Sequence, residues 1–310
     1  MVVLAHVADV HIGARLRGMP DYPGSPDIDP VELAYAAFDA LVASVLRGGY
    51  DGVLVAGDLF DRGVPDSRAL DAANAALAAF DDAGLPVAMI LGNHDVESAL
   101  TRHLRLPPGT WLAPGDGAGT VRWPDAGVAV HGRSIADPAE PHDLTETYPA
   151  RETGFWNVGL LHTSLTGGWS KRALAPTTVE NLERTGYDYW ALGHVHHRIA
   201  DSARVAYAGS VHPSRRPELG PRGHLRVELG ADRTPRLTPV DTSPVVRERL
   251  LAQTADDAAA VFAEYRRPAH DPIVVWTLDG PSSLVEPARE LAAQYDGFAV
   301  ASGRTGTEEP

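Results

Sequence analysis

The sequence predicts an α/β fold layered around a mostly parallel sheet, and three observations carry that reading. Short apolar runs rich in β-branched residues alternate with stretches of helical periodicity. The runs are continuously apolar, as strands buried on both faces are. Each hands over to polar residues at its carboxyl end, where open α/β sheets place their ligand sites.

Val2 to Ala8 reads as the first buried strand, running into Asp9, His11 and Gly13. Asp29 and Pro30 supply an N-cap and a first helical residue; Leu33, Ala37, Leu41 and Val45 follow at helical spacing until Gly48 and Gly49 end the helix. A second strand, Gly52 to Ala56, ends in Gly57 and Asp58. Ser67 is the expected cap of a second helix that stops at Gly84, and a third strand, Val87 to Leu91, ends in Gly92, Asn93, His94 and Asp95. Further on, Val158 to Leu161 leads into His162, a short helix spans Thr178 to Thr185, and Tyr189 to Leu192 leads into His194 and His196. Short β segments around Val121, Val128, Val205 and Leu225 add mixed or antiparallel strands. Residues 1–233 thus form the first domain, and the Pro- and Thr-rich stretch 234–244 reads as a linker. Val245 to Leu251, Thr254 to Tyr265, Ile273 to Leu278, Ser282 to Gln294 and Phe298 to Ala301 then read as strand, helix, strand, helix, strand. They make a small α+β cap domain over residues 245–302, before a flexible tail at 303–310.

Composition excludes several classes. With 44% hydrophobic and 22% charged residues, the 310-residue chain is neither disordered nor fibrous. A formal charge of −14 argues against a protein that coats polyanions generally, while leaving a locally basic site open. The absence of cysteine removes disulfides, thiolate nucleophiles and Cys-ligated metals, and fits a reducing cytoplasm. Met1 to Ala8 lacks the basic start and small-residue cleavage site of a leader, and no apolar run reaches membrane-spanning length; a soluble, unexported protein is expected.

The strand ends together present Asp9, His11, Asp58, Asp61, Asn93, His94, His162, His194 and His196. Carboxylates, imidazoles and one amide without a thiolate suit divalent metals such as Mn, Fe, Co or Zn. Asp9 with His11, and His194 with His196, can each converge from one turn, and Asp58 is placed to bridge two ions. Two such ions clamp a phosphate oxygen and make hydroxide available near neutral pH, so phosphoester hydrolysis is the chemistry implied. His94, partnered by Asp61, is the candidate to hold a proton for the leaving group. A lone histidine is more often structural, and that reading is given to His6, His131, His142, His197, His224 and His270.

In order, Asp9-Val10-His11, Gly57-Asp58-Leu59-Phe60-Asp61-Arg62-Gly63, Gly92-Asn93-His94-Asp95, His162 and Gly193-His194-Val195-His196 resemble the five-motif signature of calcineurin-like metallophosphoesterases. The resemblance covers about residues 1 to 230 and implies a four-layer αββα sandwich. It implies that Asp9, His11, Asp58 and His196 hold one ion, that Asp58, Asn93, His162 and His194 hold the other, and that His94, paired with Asp61, is catalytic without being a ligand. Within that superfamily Leu16-Arg17-Gly18, the segment Gly159 to Leu165 and the segment Tyr187 to His194 resemble SbcD and YhaO-like DNA repair exonucleases. That narrower resemblance implies Mn²⁺-dependent hydrolysis of DNA phosphodiesters, with DNA and an SMC-like ATPase of the SbcC type as partners; a homodimer is a further partner reading. Relatives commonly carry an ATPase-docking segment after the cap, whereas only a few residues follow the last predicted strand here. A phosphatase or cyclic-nucleotide phosphodiesterase on the same core, and a non-catalytic repair scaffold, are the alternatives. Arg15, Arg17, Arg215, Arg216 and Arg222 are the candidate DNA-contacting rim, with Arg102 and Arg105 further out, against the alternative of ordinary solvated arginines; Tyr22, Trp169 and Tyr207 could stack on bases, but core or rim packing is the preferred reading for each.

Overall fold

The computed structural model describes residues 1–301 except 24, 26, 64–65, 167–172, 232 and 295–296, so Trp169 and the expected tail lie outside the described residues. The elements begin β1 (Val2–Val7), α1 (Pro30–Arg47), β2 (Gly52–Ala56), α2 (Ser67–Asp82), β3 (Val87–Ile90), α3 (Asn93–Glu97), β4 (Thr110–Leu112), β5 (Gly119–Trp123) and β6 (Val128–Gly132). They continue with β7 (Trp156–His162), α4 (Val179–Arg184), β8 (Tyr189–Gly193), β9 (Ile199–Ala200), β10 (Val205–Tyr207), β11 (Gly223–Leu229) and β12 (Pro235–Asp241). Last come β13 (Val245–Leu251), α5 (Ala255–Glu264), β14 (Ile273–Asp279), α6 (Val285–Gln294) and β15 (Gly297–Ala301).

Two six-stranded sheets stack face to face, ordered β12-β11-β1-β2-β3-β4 and β5-β6-β7-β8-β10-β9. The core between them joins Leu4, Leu54, Ala88 and Ile90 of the first sheet to Val130, Val158, Leu160 and Ala191 of the second. On the outer face of the first sheet lie α1, burying Phe38, Leu41 and Val45, and α2, burying Ala73, Leu77 and Phe80. Over the second sheet, Leu182 of α4 packs against Leu161, Trp190 and Tyr207. This is the four-layer αββα sandwich. The strand pattern alone suggested one mostly parallel sheet, because an apolar run does not state which sheet it joins.

Local signals are mostly where the sequence put them. Asp29 caps α1, its carboxylate accepting from the Val31 N–H at 2.7 Å, with Pro30 in the first turn. The cap of α2 is Asp66 rather than Ser67; Asp66 holds an extended backbone and accepts from the Arg68 N–H at 2.9 Å. The larger correction concerns residues 234–244. Instead of a linker, most of that stretch is β12, paired antiparallel with β11 from Gly223↔Asp241 to Leu229↔Pro235. Its prolines are tolerated because β12 is an edge strand, where a missing N–H breaks no interior ladder.

The C-terminal segment adds an all-parallel sheet, β13-β14-β15, covered by α5 and α6 around Phe262, Trp276 and Ala288. Val245 and Val275 pack on Leu16 and Ala34, so this cap rests directly on the loop that follows β1. Among the described residues no helix is long and apolar enough to cross a membrane.

Gly159, inside β7, has the Trp190 indole lying on it, and an added Cβ would collide with that ring. Trp190 is fully buried, and its indole N–H donates to the Leu182 carbonyl at 3.0 Å, so it has little room to retreat. Gly159→Ala is expected to destabilise the chain by about 1–3 kcal/mol, the usual cost of overpacking, read as a lowered midpoint in urea unfolding.

Candidate metal centre

The loops after β1 and β2 are laced together: the Asp9 N–H donates to the Gly57 carbonyl and the His11 N–H to the Asp58 carbonyl, both at 3.1 Å. Four functional positions turn sharply off their strands with positive φ, Asp9 at 48°, His11 at 45°, Asp58 at 55° and His194 at 99°. Such backbone costs about 1–3 kcal/mol per non-glycine residue and persists where surrounding structure over-determines it. The neighbouring glycines are needed for close approach. A Cβ on Gly92 would strike the Asp58 carboxylate, and one on Gly193 would strike the Ala56 carbonyl and come within 2.8 Å of His162 Nδ1.

These turns bring side chains from both sheets to one place. His11 Nε2 lies 3.2 Å from His196 Nε2 and 3.8 Å from Asp58 Oδ2, and His196 Nε2 lies 3.9 Å from Asp9 Oδ1. His162 Nε2 is 3.3 Å from Asp58 Oδ2 and 3.2 Å from Asn93 Oδ1. His194 sets its ring edge-on to His162, and its backbone N–H donates to both carboxylate oxygens of Asp9 at 3.0 and 3.1 Å. His94 Nδ1 is 2.7 Å from Asp61 Oδ1. Three overlapping sets, Asp9/His11/His196, His11/Asp58/His94 and Asp9/Asp58/His162, each bring their ligand atoms within 4.8 Å of one another. All nine residues singled out in the sequence therefore share one site.

Outer partners orient the rings. Nδ1 of His162 donates to the Ala56 carbonyl at 2.9 Å, and Nδ1 of His196 faces Glu218 Oε1 at 2.6 Å, which turns both Nε2 atoms inward. Asp95 accepts from the Phe60 N–H at 2.8 Å and the Gly92 N–H at 2.9 Å, tying the second motif to the third.

The electrostatics express crowding of charge in a dry place. Burial raises the pKa of Asp9. Burial also works against ionised Asp58, but the imidazoles of His162, His11 and His94 outweigh it and hold Asp58 well below the usual carboxylate range. His162 in turn is raised to about 9, burial being overcome by Asp58. Burial lowers His11 and His194 to about 3, which leaves them neutral, as a ligand must be.

This donor set fits divalent cations. Asp9, His11, Asp58 and His162 are buried and His194 and His196 half-buried, the set comes without a thiolate, and outer partners already fix the rings of His162 and His196. His11 Nδ1 is in addition a buried polar atom without a hydrogen-bond partner.

Around the centre the rim reading is corrected at one residue. Arg15, Arg17, Arg215 and Arg216 are exposed, as are Arg102 and Arg105 further along the chain. Arg222 instead is buried and donates to the carbonyls of His196 and Leu219 and to Ser210 Oγ, so it braces the His196 turn and faces no solvent. Tyr207 is also buried, its hydroxyl donating to the Thr163 carbonyl, and Tyr22 lies beneath the Arg289 guanidinium at 3.7 Å. The histidines read as structural keep that role where partners are seen. His6 meets the Tyr189 hydroxyl and the Leu192 carbonyl, His131 meets Thr120 and Asn157, and His224 meets the Tyr50 hydroxyl. Glu218 was not singled out in the sequence; it sits in a Pro- and Arg-rich loop 22 residues from the histidine it orients, with no motif around it.

Residues 2–198 match the family of calcineurin-like phosphoesterases, and the chain belongs to that family. Its fold and donor set are those of a metal-dependent phosphoesterase. Among curated relatives, the uncharacterized metallophosphoesterase YhaO of Bacillus subtilis is 27% identical, over 72% of this chain and 56% of its own. The DNA double-strand break repair protein Mre11 of Halobacterium salinarum is also 27% identical, over 93% of this chain and 73% of its own. The chain thus spans little more than half the length of YhaO. Among solved structures, TT1561 of Thermus thermophilus aligns with a TM-score of 0.44 at 11% identity, over 77% of this chain and 98% of that one.

Asp58 stands between the two groups of imidazoles, which makes it the shared position. Asp58→Asn, replacing an anion by an amide, is expected to lower retained divalent metal from about two ions to less than one per chain, measured by elemental analysis after gel filtration. Unchanged stoichiometry would remove the bridging role.

Proposed function

We propose that the protein is a DNA nuclease that hydrolyses backbone phosphodiesters with two divalent ions, Mn²⁺ first among them. Asp9, His11, Asp58 and His196 would hold one ion; Asp58, Asn93, His162 and His194 would hold the other. The ions, when bound, supply Lewis-acid activation of the phosphate and of the attacking water.

The residues of the chain do the rest. Asp61 engages Nδ1 of His94, which fixes the ring, and Nε2 of His94 would pass a proton to the departing sugar oxygen. Its ring touches the same cluster, and its Nδ1 is held by Asp61 much as those of His162 and His196 are held by their outer partners; the resemblance to the metallophosphoesterase signature, with the carboxylate partner, is what assigns His94 the proton and not a place among the ligands.

One observation carries DNA over a small phosphate ester. Four exposed arginines lie on two loops that zip together beside the centre, through the Arg17 N–H to the Ser214 carbonyl at 3.0 Å. Arg215 is near enough for its charge to act on His196. A local cationic rim suits a polyanionic backbone, and similarity to Mre11 supports the same reading. An SMC-like ATPase of the SbcC type belongs to this proposal as the partner class.

The test is cleavage of labelled single- and double-stranded DNA across a series of divalent metals, set against a small aryl phosphate. Cleavage of DNA is expected; hydrolysis of the aryl ester alone would favour the phosphatase reading. His94→Ala should keep both ions and lose about 10²–10⁴-fold in turnover, the usual contribution of a general acid, and a normal rate with full metal would end that assignment. Arg216→Ala should weaken DNA binding and reduce the slope of log affinity against log salt by about 1, measured by fluorescence anisotropy from low to moderate salt.

A further inference from the structure

Arg247, in the middle of β13, is fully buried. Its guanidinium is held by main-chain carbonyls: Nε donates to Pro213 at 3.3 Å, Nη1 to Gly18 at 3.3 Å and Nη2 to Arg17, with the Met19 sulfur 3.8 Å away. Burying a cation against carbonyls is costly, and an apolar residue would pack a strand with less penalty. What the planar fork achieves that an apolar side chain cannot is to tie three carbonyls on two separate loops at fixed spacing.

Those two loops are the ones that frame the metal centre. Arg17 and Gly18 belong to the loop after β1, whose first residues include Asp9 and His11. Pro213 opens the segment 213–220, and the other end of that segment is held by the same residue, the Gly220 N–H donating to the Arg247 carbonyl at 2.8 Å. Between the two clamped ends lies Glu218. It accepts from the Arg215 N–H at 3.1 Å and the Ser214 hydroxyl at 3.4 Å, and its other oxygen meets His196 Nδ1 at 2.6 Å. The strand that carries Arg247 is itself seated, since Val245 packs on Leu16 and Ala34.

We propose that Arg247 is a positioning residue of the metal centre: from the cap it fixes both ends of segment 213–220 and thereby holds Glu218 against His196. The inference rests on the dimetal reading above. It makes the cap a structural component of the site and not only a cover beside it. Removing the clamp lets Glu218 drift, frees the His196 ring to rotate, and weakens the one ion that His196 would hold.

The experiment is titration calorimetry of the full chain with Mn²⁺, carried out as a double-mutant cycle between Arg247 and Glu218. Arg247→Lys keeps the charge but cannot span the carbonyls; Arg247→Gln serves in its place should the lysine variant not fold. Arg247→Lys and Glu218→Gln are each expected to weaken one of the two Mn²⁺ constants about tenfold and leave the other, as loss of an orienting partner does. The double variant should be no weaker than either single, because Arg247 acts through Glu218. A merely structural role would leave the Mn²⁺ constants unmoved by Arg247→Lys, or give losses that multiply to about a hundredfold in the double, and either result overturns the proposal. A wild-type chain that binds no Mn²⁺ is a different result, which overturns the dimetal reading and this inference with it.

Discussion

Two buried carboxylates, Asp9 at 0% and Asp58 at 2% exposure, are the constraint to which the rest of the structure answers. An ionised carboxylate taken out of water is tolerated only with compensating positive charge and hydrogen bonds. Both belong to the first sheet, whereas His162, His194 and His196, which face them, belong to the second. Compensation therefore depends on how the two sheets are held relative to one another. The core between them is the positioning device: Ala56, Ala88, Ala191 and Ala206 let the backbones come close, and His6 crosses the gap from β1 to the Tyr189 hydroxyl and the Leu192 carbonyl. Burial pushes His6 down to about 3, so this bridge is neutral and adds no charge to an already crowded region.

The same constraint explains why the backbone is strained where it is. A strand that simply continued would carry alternate side chains to opposite faces; positive φ at Asp9, His11, Asp58 and His194 breaks that alternation and aims ligand-type side chains into one space. The strain is offset by the lacing of the first two loops and by the Asp95 carboxylate, which gathers the Phe60 and Gly92 N–H groups. Glycine at positions 92 and 193 then follows from packing, since any Cβ would occupy space taken by Asp58 or by the Ala56 carbonyl.

The legible part of the sequence is that which acts locally or repeats as a motif. Asp29-Pro30 announces a helix start because capping is decided within one turn. The nine site residues were readable because each follows an apolar strand, and conjunction makes accident implausible. What could not be read depends on distant neighbours. Asp66 and Ser67 are both good caps, and only the chain path chooses between them. The prolines of 234–244 looked like a linker because nothing local says that β11 runs alongside. Arg222 resembles Arg215 and Arg216 in every sequence property, yet it turns inward to the His196 carbonyl while they face solvent. Glu218 and Arg247 serve His196 and its loop from 22 and about 50 residues away, and spacing carries no signal at that range.

The proposed action on DNA also has to be reconciled with a net charge of −14, which makes bulk attraction to a polyanion unpromising. At physiological salt the screening length is about 8 Å, so carboxylates on the far helices contribute little at the rim. What decides contact is the distribution within that distance: four exposed arginines on two joined loops, next to a centre whose own carboxylates are committed to imidazoles and backbone N–H groups. The fold achieves this separation by placing the acidic groups of the centre beneath the surface and the guanidinium groups above it. Local basicity thus requires neither a basic protein nor a basic domain, only loops held firmly enough that their arginines stay where the carboxylates are not.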